Sequence, residues 1–231
     1  MLPKIKVAID GPAASGKSTT AREVAKRLKY LYIDSGAMYR AVTLKALQLG
    51  VPTTAADKVA EIAGNVTIEF KQNDLLTEIF MDGKDVSKAI RFPKVTQNIN
   101  PVAANPLVRK ILVEKQKLLG KDGGVVMDGR DITTVVFPDA ELKIFMKASA
   151  EERARRRVNE LEKNGVAANF KKVLEEIENR DQADFTRKHS PLTQAPDAVV
   201  IDTTRLSIEE QVEEIYQLAF NIINQKKAGT I

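Results

Sequence analysis

The sequence predicts a single α/β domain, residues 1–231, in which a parallel β-sheet is flanked by helices. Five short apolar runs recur along the chain, and stretches with helical periodicity lie between them. Short, almost continuously apolar runs are typical of parallel strands buried on both faces. The five runs are residues 5–9, 31–33, 125–128, 142–146 and 198–202. Residues 65–86 and the charged residues 149–190 depart from this alternation, and they predict a small insert and a helical flap.

The first two runs each lead into a predicted helix. The first passes through a glycine-rich loop into a helix with one apolar face, which comprises Ala21, Val24, Ala25 and Leu28. The second ends at Asp34, and its helix continues to about Leu49. The sequence Gly50-Val51-Pro52 then predicts the end of that helix.

The predicted insert changes the hydrophobic period to that of a strand. Val66, Ile68 and Phe70 alternate with polar residues, and a turn signal follows at Asn73-Asp74. A second apolar segment leads into Asp82-Gly83. This pattern predicts short antiparallel strands.

Capping patterns predict where two helices of the second half begin. A helix is expected near residues 105–119. Ser149 with Glu152, and Ser207 with Glu210, have the spacing of capping boxes. The last helix carries one apolar stripe, made of Ile208, Val212, Ile215, Ala219 and Ile222.

Composition narrows the possible partners. The net charge is +5 and the pI about 9.2, but 36 basic residues are interspersed with 31 acidic ones and aromatics are only 5%. Nucleic-acid binding is disfavoured because single-strand binders use aromatic stacking platforms. A small anionic ligand fits better.

With no Cys and no apolar run of about 18 residues, disulfides and a membrane span are not expected, and a cytoplasmic protein is predicted.

Residues 11–18 match the phosphate-binding pattern G-x-x-x-x-G-K-S between a strand and a helix. Backbone N–H groups and the helix N-terminus would hold phosphates, Lys17 would reach the β- and γ-phosphates, and Ser18 would ligate magnesium. An ordinary glycine-rich turn is the alternative, but the strand and helix on either side favour a P-loop for ATP. The predicted nucleotide-binding residues are Gly11, Pro12, Ala13, Ala14, Ser15, Gly16, Lys17, Ser18 and Thr19.

The remaining polar candidates favour phosphoryl transfer without a histidine base. Asp128 ends a strand, where it would meet the metal or serve merely as a turn residue. His189 is the only histidine and is interpreted as a solvated loop residue. A phosphate monoester acceptor is already largely a dianion at neutral pH, so it requires positioning and charge neutralisation rather than a base.

Arginines can supply that neutralisation, because a guanidinium binds phosphate oxygens in pairs. Three of them, Arg40, Arg109 and Arg130, lie near strand ends or helix starts. Further candidates lie in the flap: Arg153, Arg156, Arg157, Arg180 and Arg187. The simpler interpretation is a solvated helix face that pairs with Glu151, Glu152 and Glu160.

Beyond the P-loop, the sequence closely resembles the bacterial cytidylate kinase family over nearly its whole length. The markers are Asp10-Gly11-Pro12, Asp34-Ser35-Gly36-Ala37-Met38-Tyr39-Arg40, Pro106-Leu107-Val108-Arg109, Asp128-Gly129-Arg130-Asp131, Val135-Val136-Phe137-Pro138-Asp139-Ala140, and Arg180-Asp181 with Asp184. The resemblance implies a P-loop kinase fold. It also implies transfer of the ATP γ-phosphoryl group to CMP or dCMP with Mg²⁺.

The resemblance also implies roles for individual residues. Together with the P-loop pattern, it leads us to predict Lys17, Arg130, Arg153 and Arg157 as catalytic residues, and Ser18 and Asp128 as metal ligands. The acceptor would meet Ser35, Arg109 and Asp131 near the base, Arg40, Arg130 and Arg187 at the phosphate, and Arg180 and Asp184 at the sugar. Residues 64–90 resemble the family's monophosphate-side insert, and residues 149–190 its lid.

Two positions depart from the family pattern. Asn100, also expected near the base, stands where serine is usual, and its amide could tolerate uracil. Thr133 stands where glycine is usual, and would either stiffen its loop or crowd the acceptor site.

Two alternatives stay open from the sequence. One is a P-loop switch module, although no residue for positioning a hydrolytic water is evident. The other is a P-loop kinase for AMP, UMP or shikimate. Small-molecule substrates and a monomeric state are expected in either kinase interpretation.

Overall fold

The computed structural model describes residues 3–72, 77–163 and 165–229. Eight strands lie within them: β1 (Lys6–Asp10), β2 (Leu31–Asp34), β3 (Ile68–Gln72), β4 (Thr77–Met81), β5 (Lys84–Asp85), β6 (Val125–Gly129), β7 (Leu142–Lys147) and β8 (Val199–Asp202). Five of them form one parallel sheet in the order β2-β6-β1-β7-β8. All five apolar runs therefore form the predicted strands.

The same residues contain eight α-helices: α1 (Lys17–Leu28), α2 (Ser35–Gln48), α3 (Ala56–Asn65), α4 (Pro93–Ala104), α5 (Pro106–Leu119), α6 (Ala150–Lys163), α7 (Phe170–Thr186) and α8 (Ile208–Lys227). A 3₁₀ turn (Ala89–Arg91) and a π-helical turn (Ile132–Val136) complete the helical segments. Helices α3 and α4 were not predicted. Pro101 lies inside α4 and removes a helical hydrogen bond, which argues against a helix when only the sequence is read.

The sheet is buried on both faces. Val7 and Ile9 of β1 pack with α1 and α8, whereas Ala8 packs with Met127 and the π-helical turn on the other face. This two-sided burial explains why the strands appear as continuous apolar runs.

Helix α8 confirms the Ser207–Glu210 capping box, in which each side chain bonds the other residue's backbone N–H. Its predicted apolar stripe is only partly correct. Val212, Ile215 and Ala219 are buried, but Ile208 is 39% exposed and the next fully packed position is Ile223 rather than Ile222. In the first turn the buried side chain is Gln211 rather than Ile208, and beyond Ala219 the buried position follows after a step of four residues.

The small sheet confirms the antiparallel insert. Strands β3, β4 and β5 pair in that order and antiparallel. Ile68, Ile79 and Met81 pack into the same apolar cluster as α2 and α5. The turn signal at Asn73-Asp74 lies outside the described residues.

Helices α6 and α7 form the predicted helical flap. They pack around Ala154, Val173 and Ile177, with Ala14 of the glycine-rich loop against this cluster. The Ser149 capping box is only half formed. The Ser149 Oγ accepts from Glu152 N at 3.2 Å, but Ser149 N–H donates to Thr204 Oγ1, and the Glu152 carboxylate binds Arg156 instead.

Across the described ranges, no helix combines the length and apolarity that crossing a bilayer requires.

Candidate active site

The glycine-rich loop connects the end of β1 to the start of α1, as predicted. Gly11 has φ +154°, and a Cβ there would lie 2.2 Å from the backbone oxygen of Met146, so no other residue fits. Gly16, at φ +94°, precedes the first turn of α1. The N-terminus of α1, with Lys17 and the exposed Ser18 and Thr19, therefore faces the carboxyl edge of the sheet, where open α/β sheets bind ligands.

Side chains hold the loop's carbonyl groups. Pro12 O accepts from Lys17 Nζ at 3.0 Å, Ala13 O from Arg153 at 3.3 Å, and Ser15 O from Thr203 Oγ1 at 2.9 Å. Since the two polar groups of a peptide unit point in opposite directions, these contacts orient the loop's N–H groups as well. The loop is thus built as an anion cradle.

Lys17 is almost fully buried, with 6% of its surface exposed. Burial is the main cause that lowers the pKa of Lys17, to about 7, and the charge of Arg130 lowers it further while Asp128 opposes. Within the described ranges, the hydrogen bond to Pro12 O is the one found for this buried ammonium, so a phosphate anion would supply a further partner.

A carboxylate from the neighbouring strand meets the start of α1. Asp128 Oδ2 accepts from Ser18 Oγ at 2.7 Å, and Asp128 Oδ1 accepts from Tyr32 Oη at 2.8 Å. Burial raises the pKa of Asp128 to about 6, and the charge of Asp34 adds to the rise. Sequence reasoning missed Tyr32, because its contact arises only from the pairing of β2 with β6.

The second group of candidates lies around Asp131. Its carboxylate forms a buried ion pair with Arg109, and Arg187 approaches it to 3.9 Å. The Arg109 guanidinium lies over the Tyr39 ring, 5.5 Å from its centroid. Burial raises the pKa of Tyr39 to about 12, so its hydroxyl is neutral and can donate or accept.

Arg130 and Asp184 form a second ion pair, which Arg187 links to this group. Arg130 Nε donates to Asp184 Oδ2 at 2.7 Å, and Arg187 lies 3.7 Å from the same carboxylate. Burial opposes ionisation of Asp184, but the charge and hydrogen bond of Arg130 outweigh it and hold its pKa below the usual range. Loss of water around the Arg180 guanidinium, with the charge of Arg130, lowers the pKa of Arg180 to about 10. This mutual effect of Arg130 and Arg180 is expected of like charges held close together.

The other three acceptor candidates, Ser35, Arg40 and Asn100, differ in their contacts. Ser35 is buried and donates to the Asp128 carbonyl at 2.7 Å. Arg40 donates to Ile90 O and to Thr96 Oγ1. Asn100 is exposed on α4, and no hydrogen bond within the described residues joins it to Asp131. Its placement near the base stays a prediction.

The flap arginines divide into two kinds. Arg155 and Arg157 lie on an exposed face and pair with Glu152 and Glu160, as the simpler interpretation expects. Arg153 is instead buried against Asp181 at 2.6 Å.

The other flap contacts stabilise the loop. Arg156 donates to Ser15 O at 3.3 Å and also binds Thr203. The catalytic roles of Arg153 and Arg157 stay predictions. His189 is exposed between α7 and β8, which confirms its interpretation as a loop residue.

Comparison with known proteins agrees with this geometry. The family model for cytidylate kinase matches residues 7–221. A cytidylate kinase of Limosilactobacillus reuteri is 50% identical over 219 residues, covering 94% of this chain and 96% of the relative. One of Bacillus anthracis is also 50% identical over 219 residues, covering 95% of this chain and 97% of the relative.

A solved structure shares the fold alone. It is an uncharacterized protein from Eubacterium ventriosum, with a TM-score of 0.50 and 12% identity, which covers 93% of this chain and 97% of that one. The family assignment rests on the family model and on the two half-identical relatives, which extend over almost the full length. This chain belongs to the cytidylate kinase family.

Proposed function

We propose that this protein transfers the γ-phosphoryl group of ATP to CMP or dCMP, giving ADP and CDP or dCDP. The family supplies the reaction class, and two groups of residues in the structure support a site for each substrate. The loop before α1 suits the triphosphate, and the cluster around Asp131 suits the monophosphate.

The observation that carries this proposal is a set of buried polar atoms that make no hydrogen bond. Among the described residues, Tyr39 Oη, Arg109 Nε and Arg187 Nη2 are buried and make no hydrogen bond. All three belong to the group around Asp131, whose charge acts on Tyr39 and on Arg187. A buried unpaired donor costs about 1–3 kcal/mol, so a polar ligand that pairs these atoms is bound favourably.

Charge neutralisation is the chemistry that the chain itself performs. Lys17 Nζ donates to Pro12 O of the loop, and the charges of Arg130 and Arg180 both lower the pKa of Lys17. Phosphates of the donor and of the acceptor would therefore share one positive cluster. Transfer between them needs alignment and stabilisation of charge at the moving phosphoryl group, and no general base from the protein.

Magnesium fits the oxygen atoms at the end of β6. The Ser18 hydroxyl and the Asp128 carboxylate are adjacent hard ligands, and Ser18 is exposed. No group of three acidic, histidine or cysteine residues forms a metal cage in the described part of the chain. Mg²⁺ in kinases needs none, because phosphates and waters complete its coordination. When bound, the ion neutralises charge that develops on the phosphates.

Base selectivity would come from Asp131 and Arg109. Cytosine presents its N4 amino group as a donor and N3 as an acceptor, and uracil reverses both. A carboxylate that accepts and a guanidinium that donates complement cytosine. With UMP, the Asp131 carboxylate would face a carbonyl oxygen. CMP should therefore exceed UMP by about ten- to a hundredfold in kcat/KM.

Helices α6 and α7 are proposed as the lid, and residues 64–90 as the acceptor-side insert. The substrates are small nucleotides. A monomeric state without nucleic-acid partners is the simplest proposal.

The test is ADP release with CMP, dCMP, UMP and AMP at saturating ATP and Mg²⁺, together with direct detection of the diphosphate product. CMP and dCMP should be the preferred acceptors. If UMP or AMP lies within about threefold of CMP, the assignment of the base site to Asp131 and Arg109 is wrong. ATP hydrolysis that does not depend on any acceptor would favour a switch module instead.

A further inference from the structure

Asp10 is a buried carboxylate outside the cluster that contacts the substrates. It is the last residue of β1, it directly precedes the glycine-rich loop, and none of its surface is exposed. Burial raises the pKa of its carboxyl group, and hydrogen bonds oppose that rise. A charge in this position persists only if donors replace the lost water.

Two consecutive residues provide these donors. Asp10 Oδ1 accepts from Ile132 N at 2.9 Å, and Asp10 Oδ2 accepts from Thr133 N at 2.8 Å and from Thr133 Oγ1 at 2.6 Å. Three donors on two oxygens match an ionised carboxylate, and hydrogen bonds of this kind are the strong ones.

These bonds begin where the sheet ends. The last pair of the β1–β6 ladder is Asp10 with Gly129. Beyond it the chain leaves the sheet, and a π-helical turn starts at Ile132. Asp10 therefore replaces the missing backbone ladder and holds the next segment against β1.

The segment that Asp10 holds includes two residues that the proposed function assigns to the acceptor, Arg130 and Asp131. Arg130 binds Asp184, and Asp131 binds Arg109. Arg130 and Asp131 lie between Gly129, where the ladder ends, and Ile132, the first residue that Asp10 holds. Their position relative to the glycine-rich loop therefore depends on a contact that touches neither substrate.

The Thr133 side chain faces this anchor. It is 1% exposed, and its hydroxyl donates to Asp10. Of the two effects expected from the sequence, stiffening of the loop agrees with this orientation, and crowding of the acceptor site does not.

We propose that Asp10 and Thr133 form a positioning pair that aligns the acceptor-binding segment with the glycine-rich loop. Thr133 contributes to acceptor binding through Asp10 rather than by contact with the acceptor. The inference rests on the proposed function, because that function assigns Arg130 and Asp131 to the monophosphate.

The test compares Thr133→Val, which removes only the hydroxyl donor, with Thr133→Ser, which retains it. Thr43→Val is the matched control, since Thr43 is also fully buried and its hydroxyl donates to the Tyr39 carbonyl at 2.8 Å inside α2. Steady-state kinetics are measured with each substrate varied in turn. Acceptor binding without ATP is measured by calorimetry, and thermal unfolding is recorded for every variant.

Thr133→Val should raise the KM and Kd for CMP about tenfold, the usual effect of losing a hydrogen bond to a charged group, and leave the KM for ATP within about twofold. Thr133→Ser should restore parental values. Thr43→Val should lower the unfolding temperature without changing either KM. If Thr133→Val does not fold, Thr133→Gly removes the same hydroxyl, keeps both backbone donors and should show the same selective loss.

Two results would overturn the inference. One is parental kinetics in Thr133→Val with a loss of stability like that of Thr43→Val. The other is an equal rise in both KM values. If the parental protein prefers another monophosphate, the proposed function is wrong, and the same comparison is made with that acceptor. If it binds no monophosphate, both fail.

Discussion

Replacing Lys17 with methionine should abolish turnover and at the same time stabilise the nucleotide-free protein. The lysine is almost fully buried, and its pKa is about 7 instead of 10.5. A shift of this size corresponds to about 5 kcal/mol of unfavourable charging in the folded protein. The charged form of Lys17 is therefore unfavourable in the nucleotide-free protein, and a bound phosphate would stabilise it.

The pH dependence of stability follows from the direction of this shift. The folded protein releases the proton near pH 7, whereas the unfolded chain keeps it to about pH 10. Because the unfolded state binds more protons between these values, stability rises with pH. Lys17 alone should raise the free energy of unfolding by about 2 kcal/mol between pH 7 and pH 9. Lys17→Met should be more stable than the parent at pH 7, by up to about 4 kcal/mol, and should lack this rise.

Denaturant unfolding of metal- and nucleotide-free protein at both pH values measures the effect, and ADP release measures turnover. Lys26→Met is the control, because Lys26 is exposed on the same helix. Its unfolding profile should follow that of the parent. A Lys17→Met protein that is less stable than the parent at pH 7, or that shows the parental pH dependence, would refute the reasoning. One that retains above half the parental rate would refute the role in catalysis.

Three further outcomes are expected. Amide hydrogen exchange across residues 149–190 should slow when both nucleotides bind, since the flap arginines then gain phosphate partners, and unchanged exchange would contradict lid closure. Tyr32→Phe, which removes one of the two side-chain hydrogen bonds on Asp128, should weaken Mg²⁺ binding with ATP about tenfold by calorimetry, and parental affinity would exclude this supporting role. Asp184→Asn should lose less stability than the parent as the pH falls from 5 to 3, because the lowered pKa of Asp184 makes its carboxylate stabilising only while ionised. Equal acid sensitivity in chemical denaturation would argue against the Arg130–Asp184 contact as a source of stability.

Local chemistry made much of this protein predictable from its sequence. The glycine-rich loop is contiguous, so its strand, turn and helix can be recognised together from residues 5–28. The five apolar runs predicted the strands because each is buried on both faces. The Ser207 cap was predicted correctly because both partners lie within one helical turn.

Predictions failed where a local signal competed with a tertiary contact. The spacing of Ser149 and Glu152 suits a capping box, but Thr204 and Arg156 take up the groups that would complete it. Helix α4 was missed because Pro101 indicates a helix break in the sequence, whereas the folded protein accommodates it inside the helix.

The sequence by itself determined the α/β class, the phosphate loop and the family, since these depend on neighbours along the chain. Only the tertiary structure decided that Tyr32 supports Asp128, that Arg153 is buried against Asp181 and that Thr133 faces Asp10. Each of these contacts joins residues that are 28 to 123 positions apart. Hydrophobic periodicity specifies which face of an element is buried, but not which polar side chains meet where two elements end, because that depends on strand order and register.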